Sequence, residues 1–430
     1  MARPLEGIRV LELGNLIAGP FCGMLLGDMG ADVIKIERPK HGDYSRGMPP
    51  MVNGESASFA VLNRNKRSLV LDLKQSEARE IALQLAAKSD VFLENNRPGA
   101  LDSLGLGAEQ VRAVNPAIIY VSVSGFGQTG PNRRRAGVNL TIEAFSGALS
   151  VTGAPDDMPM RPGIQTADMF GALFGTYAVL SGLVNVLRNK DGRTADVSLV
   201  ESSIAVAAWE SAEYLATGEV PKRLGHRHRT NAPYQLFLTG DGRYLAVTAA
   251  RDEFFRSFMK VLGLERYLAD PRFATYAARK TNETDLIGVV SPAIRARGAA
   301  ELEAQLVEAG VACSLVNDYA QVFDDPHVRA RGVAVAVNHP RMGTMQAVRN
   351  PVLLDRDGPE IRRPAPLLGE HSANRGPALT PQRRSFPDGG GEEARDHAAA
   401  TEGDSRAAHS AAYCSVIFQR TCASVRCACL

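Results

Sequence analysis

The 430-residue chain carries 49 Lys and Arg against 47 Asp and Glu, a formal charge of +2, with 45% hydrophobic and 22% charged residues. This is the composition of a folded globular protein large enough for two or three structural units, and its near balance of charge excludes general attraction to nucleic acid or a membrane surface. Only Cys22 and Cys313 fall in the first 400 residues, with four more at 414, 422, 427 and 429, which excludes a disulfide scaffold and suits a reducing compartment.

GIRVLELG (7–14) predicts a buried strand, AGPFCGMLLGDMG (18–30) a Pro-led helix ending in glycine, and ADVIKIERP (31–39) a second strand. RSLVLDL, SEAREIALQLAAKS and DVFLEN repeat this β-α-β rhythm between 67 and 95, and AEQVRAVNP with AIIYVSVSGFG repeats it again up to 127. Three such units predict a doubly wound parallel sheet. A long apolar segment over 168–188 is followed by a strand and another apolar helix. The pattern then changes: RLGHRHRTNAPYQLFLTGDGRYLAVTA (223–249) alternates around an Asp-Gly turn, as an antiparallel hairpin does, and amphipathic helices follow. The predicted division is a large domain beginning with 1–225, a smaller α+β domain over 226–320, and a return to the large domain over 321–375. Residues 376–430, rich in Gly, Pro, Ala and charge, are expected to be a disordered tail. Its last residues, CACL, fit a prenylation box only loosely. The N-terminus lacks a signal-peptide pattern, and a cytoplasmic protein is expected.

Nucleotide motifs are weak. Glycines at 14, 19 and 23 do not make the G-x-G-x-x-G of dinucleotide folds, although Glu37 closes the second strand where such folds keep an acid. No phosphate loop and no G-x-S-x-G elbow is present. Basic residues instead punctuate the units: Arg38 and Lys40, then Arg64, Lys66 and Arg67, then Arg97, then Arg133 to Arg135. If these loops face one crevice, they suit a ligand with several phosphates. His226 and His228 lack a third ligand, so no metal is expected, and Cys22 and Cys313 read as small core residues.

The most unusual stretch is RPGIQTADMFGALFGTYAVL (161–180), where Asp168 precedes nineteen uncharged residues, Met169 to Leu187. Three readings compete: a helix cap, the edge of a membrane span, or a reactive carboxylate at a helix start. A single span inside a continuing α/β pattern would interrupt the sheet, so no membrane association is expected. A helix apolar all round is expected to be buried.

Several stretches together resemble one family, the class III CoA-transferases, which also includes CoA-ester racemases. They are PLEGIRVLELGNLIAGPFCGMLLGDMGADVIKIERP, NRNKRSLVLDLK, ENNRPGALDSLGL, NPAIIYVSVSGFGQTGP, SGALSVTG, RPGIQTADMFGALFG, PYQLFLTGDGRYLAV, DDPHVRARG and PAPLLGEH, in family order from residue 4 to 371. The resemblance implies a large Rossmann-like domain built from both ends of the chain, a smaller inserted domain, and a homodimer of two interlocked rings. It implies Asp168 as nucleophile, with Ile17 and Ala18 close to the reacting carbonyl. It places CoA near Leu16 and Arg38, with Arg64, Lys66, Arg67, Asn95, Arg97 and Arg135 as further candidates. The implied activity is transfer of CoA from an acyl-CoA to a small carboxylic acid; the basic loops add the expectation of a dicarboxylate acceptor, with succinyl-CoA as donor. The CoA thioester is then a substrate, and no permanently bound cofactor is expected. A carboxylate at a helix start is favoured as the anion by about 0.3–1 kcal/mol at exposed sites, so Asp168 is expected to be ionised at neutral pH.

Departures from the family pattern narrow this reading. Racemases resemble AGHD where this chain has AGVN (136–139), and Val138 cannot transfer a proton. Formyl-CoA and oxalate enzymes carry Gln at Ile17 and Tyr at Asn139. Asn139 also replaces a common Asp, and Ser103 a frequent Arg. An α-methylacyl-CoA racemase or epimerase and a non-catalytic CoA-ester binder remain as alternatives.

Overall fold

Six short runs with apolar residues on both faces build the central sheet: β1 (Arg9–Leu13), β2 (Asp32–Glu37), β3 (Lys66–Val70), β4 (Val91–Glu94), β5 (Ile119–Ser124) and β6 (Thr194–Ser198). The structure, a computed structural model, describes residues 3–355 and 358–372. The tail expected from 376, with its CACL end, lies outside the described residues. All pairings in this sheet are parallel, in the order β3-β2-β1-β4-β5-β6. Buried parallel strands carry apolar side chains on both faces. Here Val10, Leu93 and Val121 face one cluster and Leu11, Phe92 and Tyr120 the other. The order reverses between β1 and β4, the switch point where doubly wound sheets open a ligand crevice beyond the strands' C-terminal ends.

Helices α1 (Ala18–Asp28), α2 (Ser76–Ala86), α3 (Ala108–Val114), α4 (Asn139–Phe145) and α5 (Thr166–Asn189) cover the sheet. Helices α1 and α5 share one face; α2 and α3 take the other. Helix α5 ends just before β6, at the strands' N-terminal edge, so its first turn lies at the opposite, crevice edge. Its inner face is cut to fit. A side-chain carbon at Gly182 would lie 2.7 Å from Cγ2 of buried Ile119, and one at Gly175 would lie 3.5 Å from Cys22 Sγ of α1. Gly182→Val is therefore expected to destabilise the fold by about 1–3 kcal/mol through overpacking, read as a lower urea midpoint.

The outer face of α5 corrects the expectation of a helix buried all round. Leu173, Tyr177, Leu180, Val184 and Leu187 follow one another at intervals of four and three residues, forming a single stripe. They are 42–68% exposed. The helix is long and apolar enough to cross a membrane, yet its inner face is packed on α1 and the sheet.

After α6 (Leu199–Val206) and α7 (Ala208–Thr217), an antiparallel sheet of β7 (Tyr234–Leu238), β8 (Tyr244–Thr248) and β9 (Ala312–Leu315) carries its own core. Phe255, Phe258 and Met259 of α8 (Asp252–Val261), Leu286 and Val290 of α9 (Glu283–Arg295), and Leu302 of α10 (Ala299–Glu308) fill it. A hairpin of β10 (Ala334–His339) and β11 (Gly343–Val348) follows. The chain then returns along β3: the His371 N–H donates to Ser68 O at 3.0 Å, and Ser372 Oγ accepts from the Val70 N–H at 3.0 Å. This strap covers an edge that would otherwise present unpaired backbone groups.

Candidate active site

The loop between β1 and α1 is held from three sides. Asn15 N–H donates to Asn95 Oδ1 at 2.8 Å and Asn95 Nδ2 returns a bond to Asn15 O at 2.9 Å, tying the ends of β1 and β4 together. The Leu16 N–H donates to Asp43 Oδ1 at 3.0 Å. Leu16 has φ 62°, a left-handed conformation that costs a leucine about 1 kcal/mol or more and needs such fixation. Below it, fully buried Lys35 donates to Gly14 O at 2.7 Å and to Glu12 Oε1 at 2.8 Å, and it pairs with Asp43 Oδ2 at 2.8 Å. Burial works against the Lys35 charge, but these carboxylates outweigh it and raise its pKa. Helix α1 then starts with no side-chain cap and no acid in its first turn. Pro20 has no N–H to give, so the amides of Ile17, Ala18 and Gly19 are the ones left at this helix start.

Asp168 is the third residue of α5, whose cap residue Gln165 makes no side-chain cap bond. The capping comes from α4 instead. Glu143 Oε1 accepts from Thr166 N–H at 3.2 Å and from Thr166 Oγ1 at 2.5 Å, and Asn139 Oδ1 accepts from the Asp168 N–H at 3.2 Å. The other polar atoms of these two buried side chains, Glu143 Oε2 and Asn139 Nδ2, have no hydrogen-bond partner among the described residues. Asp168 itself is partly buried. Burial, and then the charge of Glu143, push its carboxyl up to about 6. The helix start by itself favours the anion; desolvation and a like charge outweigh it. At pH 7 about nine-tenths of such a group is still anionic.

The crossing of Gly175 and Cys22 locates Asp168 relative to the β1–α1 loop. Asp168 lies seven residues before Gly175 and Ile17 five before Cys22. At 1.5 Å per residue the two helix starts reach to within a few ångströms of the same height.

The predicted basic residues separate into two groups. Arg38 follows β2 at the crevice edge, stacks over Tyr44 at 3.8 Å and donates to Gly42 O. It lines a cavity of about 510 Å³ with Lys40, His41, Arg46 and Arg341. Asp168 does not line it. Arg97 is exposed just after β4, and exposed Arg135 stacks over Phe126 and Phe145, the last residue of α4, at 5.2 Å each.

Arg64, Lys66 and Arg67 are corrections. They precede β3 or open it, which puts their backbone at the opposite end of the sheet from the crevice, and their charges are spent internally. Arg64 clamps Asp28 at 3.0 and 2.7 Å, and Arg67 pairs with Asp32 at 2.5 Å. Lys66 pairs with Glu12 at 2.8 Å, and burial pulls it down to about 8. The Ser103 hydroxyl bonds only Ala100 O among the described residues. His228 accepts from the backbone N–H of Thr230 and Asn231 and stacks on Tyr234, while His226 lines a second cavity of about 360 Å³. Sequence reasoning missed Glu143, Lys35 and Asp43. The only available signal for Glu143 was its place one helical turn after Asn139.

Residues 5–372 match the family described as CoA-transferase family III. The chain is 36% identical over 377 residues to the succinate–glutarate CoA-transferase of Agrobacterium fabrum, covering 86% of this chain and 94% of that one. It is 38% identical over 375 residues to the succinyl-CoA:glutarate CoA-transferase of Mus musculus, with 86% and 85% covered. A CAIB/BAIF family protein from Brucella suis superposes with a TM-score of 0.78 at 35% identity, covering 88% of this chain and all of that one. Together with a parallel sheet whose crevice edge gathers Asp168, the β1–α1 loop and Arg38, these matches make the chain a member of the family III CoA-transferases.

Proposed function

We propose that the enzyme moves CoA from succinyl-CoA, or a similar acyl-CoA, to a small dicarboxylate through covalent intermediates on Asp168. The single observation carrying this reading is the partly buried carboxylate of Asp168 in the first turn of α5, at the crevice edge of the sheet. Its anion attacks the thioester carbonyl, the C–S bond breaks, and a mixed anhydride and CoA thiolate result. The thiolate then attacks the aspartyl carbonyl, releasing the donor acid as a carboxylate and leaving an aspartyl-CoA thioester. The acceptor carboxylate repeats the sequence in reverse. Every step exchanges a carboxylate and a thiolate on an acyl group, so neither ATP nor a permanent cofactor enters the balance. The Ala18 amide beside Ile17 is the donor we assign to the developing oxyanion. Arg38, with Leu16, Asn95, Arg97 and Arg135, is assigned to CoA. Dicarboxylates are favoured because the relatives named above act on succinyl and glutarate groups.

A second copy of the chain completes this site in our reading. Val138, Leu140 and Ile164 lie next in sequence to the residues around Asp168 and are 49–59% exposed. The apolar stripe of α5 adds a face too large to leave in water. An interlocked homodimer would cover both, and we place it in the cytoplasm, consistent with the free thiols of Cys22 and Cys313.

Incubating the enzyme with succinyl-CoA and labelled glutarate in deuterated water tests the substrate reading. Labelled glutaryl-CoA without deuterium at the α-carbon is expected. Binding without exchange of label, or deuterium at the α-carbon, would overturn it.

A further inference from the structure

Helix α4 carries one titratable side chain, Glu143, and spends it on the helix that bears the nucleophile. Glu143 is fully buried. One oxygen takes both the N–H and the hydroxyl of Thr166, two residues before Asp168, and the other has no donor among the described residues. A buried carboxylate is expensive unless its oxygens are satisfied, so a structural cap alone is better served by glutamine, which offers the same acceptor to Thr166 without the charge. We propose that Glu143 is a positioning residue for the reaction, whose charge beside Asp168 sets the basicity of the nucleophile while its Thr166 bonds fix the first turn of α5. This inference rests on the reading of Asp168 as nucleophile.

The surrounding elements offer no competing charge. Helix α1 contributes Cys22 and Asp28, the latter taken by Arg64 at the far end of the helix. β5 contributes Tyr120, on the opposite face of the sheet, and β6 contributes Asp196, whose carboxylate takes the Gln128 N–H. Helix α6 contributes exposed Glu201. On α5 itself, Tyr177 and Arg188 lie nine residues or more beyond Asp168. Arg135 is stacked on Phe126 and Phe145. Among the described residues, Glu143 is the charge that acts on Asp168, second to burial itself.

The test is the pH profile of kcat/KM for the full-length enzyme and Glu143→Gln. Wild type is expected to gain activity through an acid limb near pH 6, since the anion is the attacking form. In Glu143→Gln the limb moves to lower pH but stops short of an ordinary carboxylate value, because burial remains. If it moves by about one unit, the variant at pH 5 keeps roughly fivefold more of its own plateau activity than wild type does. Glu143→Asp, which keeps the charge, leaves the limb closer to wild type. Should Glu143→Gln fail to fold, Glu143→Met removes the charge without introducing a buried amide, and the same shift is expected. A limb that stays in place while kcat falls overturns the inference. Trapping the acyl-enzyme with hydroxylamine in the same samples separates the two levels. A hydroxamate at Asp168 with an unmoved limb sinks only the role of Glu143, whereas none at Asp168 in wild type sinks the nucleophile reading beneath it.

Discussion

Asp168→Asn is expected to lower CoA transfer by roughly 10³-fold or more while making the protein harder to unfold. The loss follows from the chemistry, since an amide cannot form the anhydride. The gain follows from the same environment that tunes the acid. In the folded protein the Asp168 carboxyl titrates at about 6, above the 3.8 of a free side chain, so the folded state holds its proton more tightly than the unfolded chain. Stability therefore falls as pH rises from about 4 to about 6, and the full cost is present above that. The difference between about 6 and 3.8 corresponds to about 3 kcal/mol, of which solvent access and the favourable helix start recover part. Asparagine escapes that cost and brings an N–H₂ group to a site where Glu143 has a bare oxygen. A stabilisation of about 1–2 kcal/mol at pH 7.5 is expected, vanishing toward pH 4. Paired thermal melts at the two pH values measure it. Equal melting of variant and wild type at pH 7.5 would mean that Asp168 is not held against its preference.

Lys35→Met is the second large effect, and it falls on stability first. The lysine is fully buried among Glu12, Asp43 and the Gly14 carbonyl. Removing it leaves two buried carboxylates with one counter-charge, Lys66, which already serves Glu12. Breaking a buried ion pair on one side typically costs about 3–5 kcal/mol, and that loss is expected in urea unfolding. The same lysine braces Asp43, which holds the Leu16 amide, so the residual folded enzyme should show a higher KM for acyl-CoA. Unchanged stability would mean that Glu12 and Asp43 are satisfied by other means.

Much of this architecture can be read from the sequence because periodicity and turn chemistry are local. The runs VLEL, VIKIE and VSVS became parallel strands, and the Asp-Gly turn lies between the two paired strands β7 and β8. Arg38 belongs to the basic punctuation of the predicted units and in the fold follows β2, whereas Asn95, which follows β4, is named by the family resemblance alone. The 64–67 cluster was misread because charge in a segment says nothing about which end of a strand it flanks; here it opens β3 and finds Asp28 and Asp32. The pairing of Glu12 with Lys35 and Lys66 depends on the register of three strands, which local pattern does not reveal. The helix start at 168 was legible, but not its caps from α4, because only the fold brings residues 139 and 143 beside 166 and 168. The apolar outer face of α5 likewise showed its composition and not its exposure.

The most direct test is to quench turnover of succinyl-CoA and glutarate with hydroxylamine and map the peptides by mass spectrometry. A hydroxamate at Asp168, formed only with acyl-CoA present and absent from Asp168→Asn, is the predicted result. Continued transfer with an unmodified Asp168, or with the adduct on another carboxylate, would contradict it.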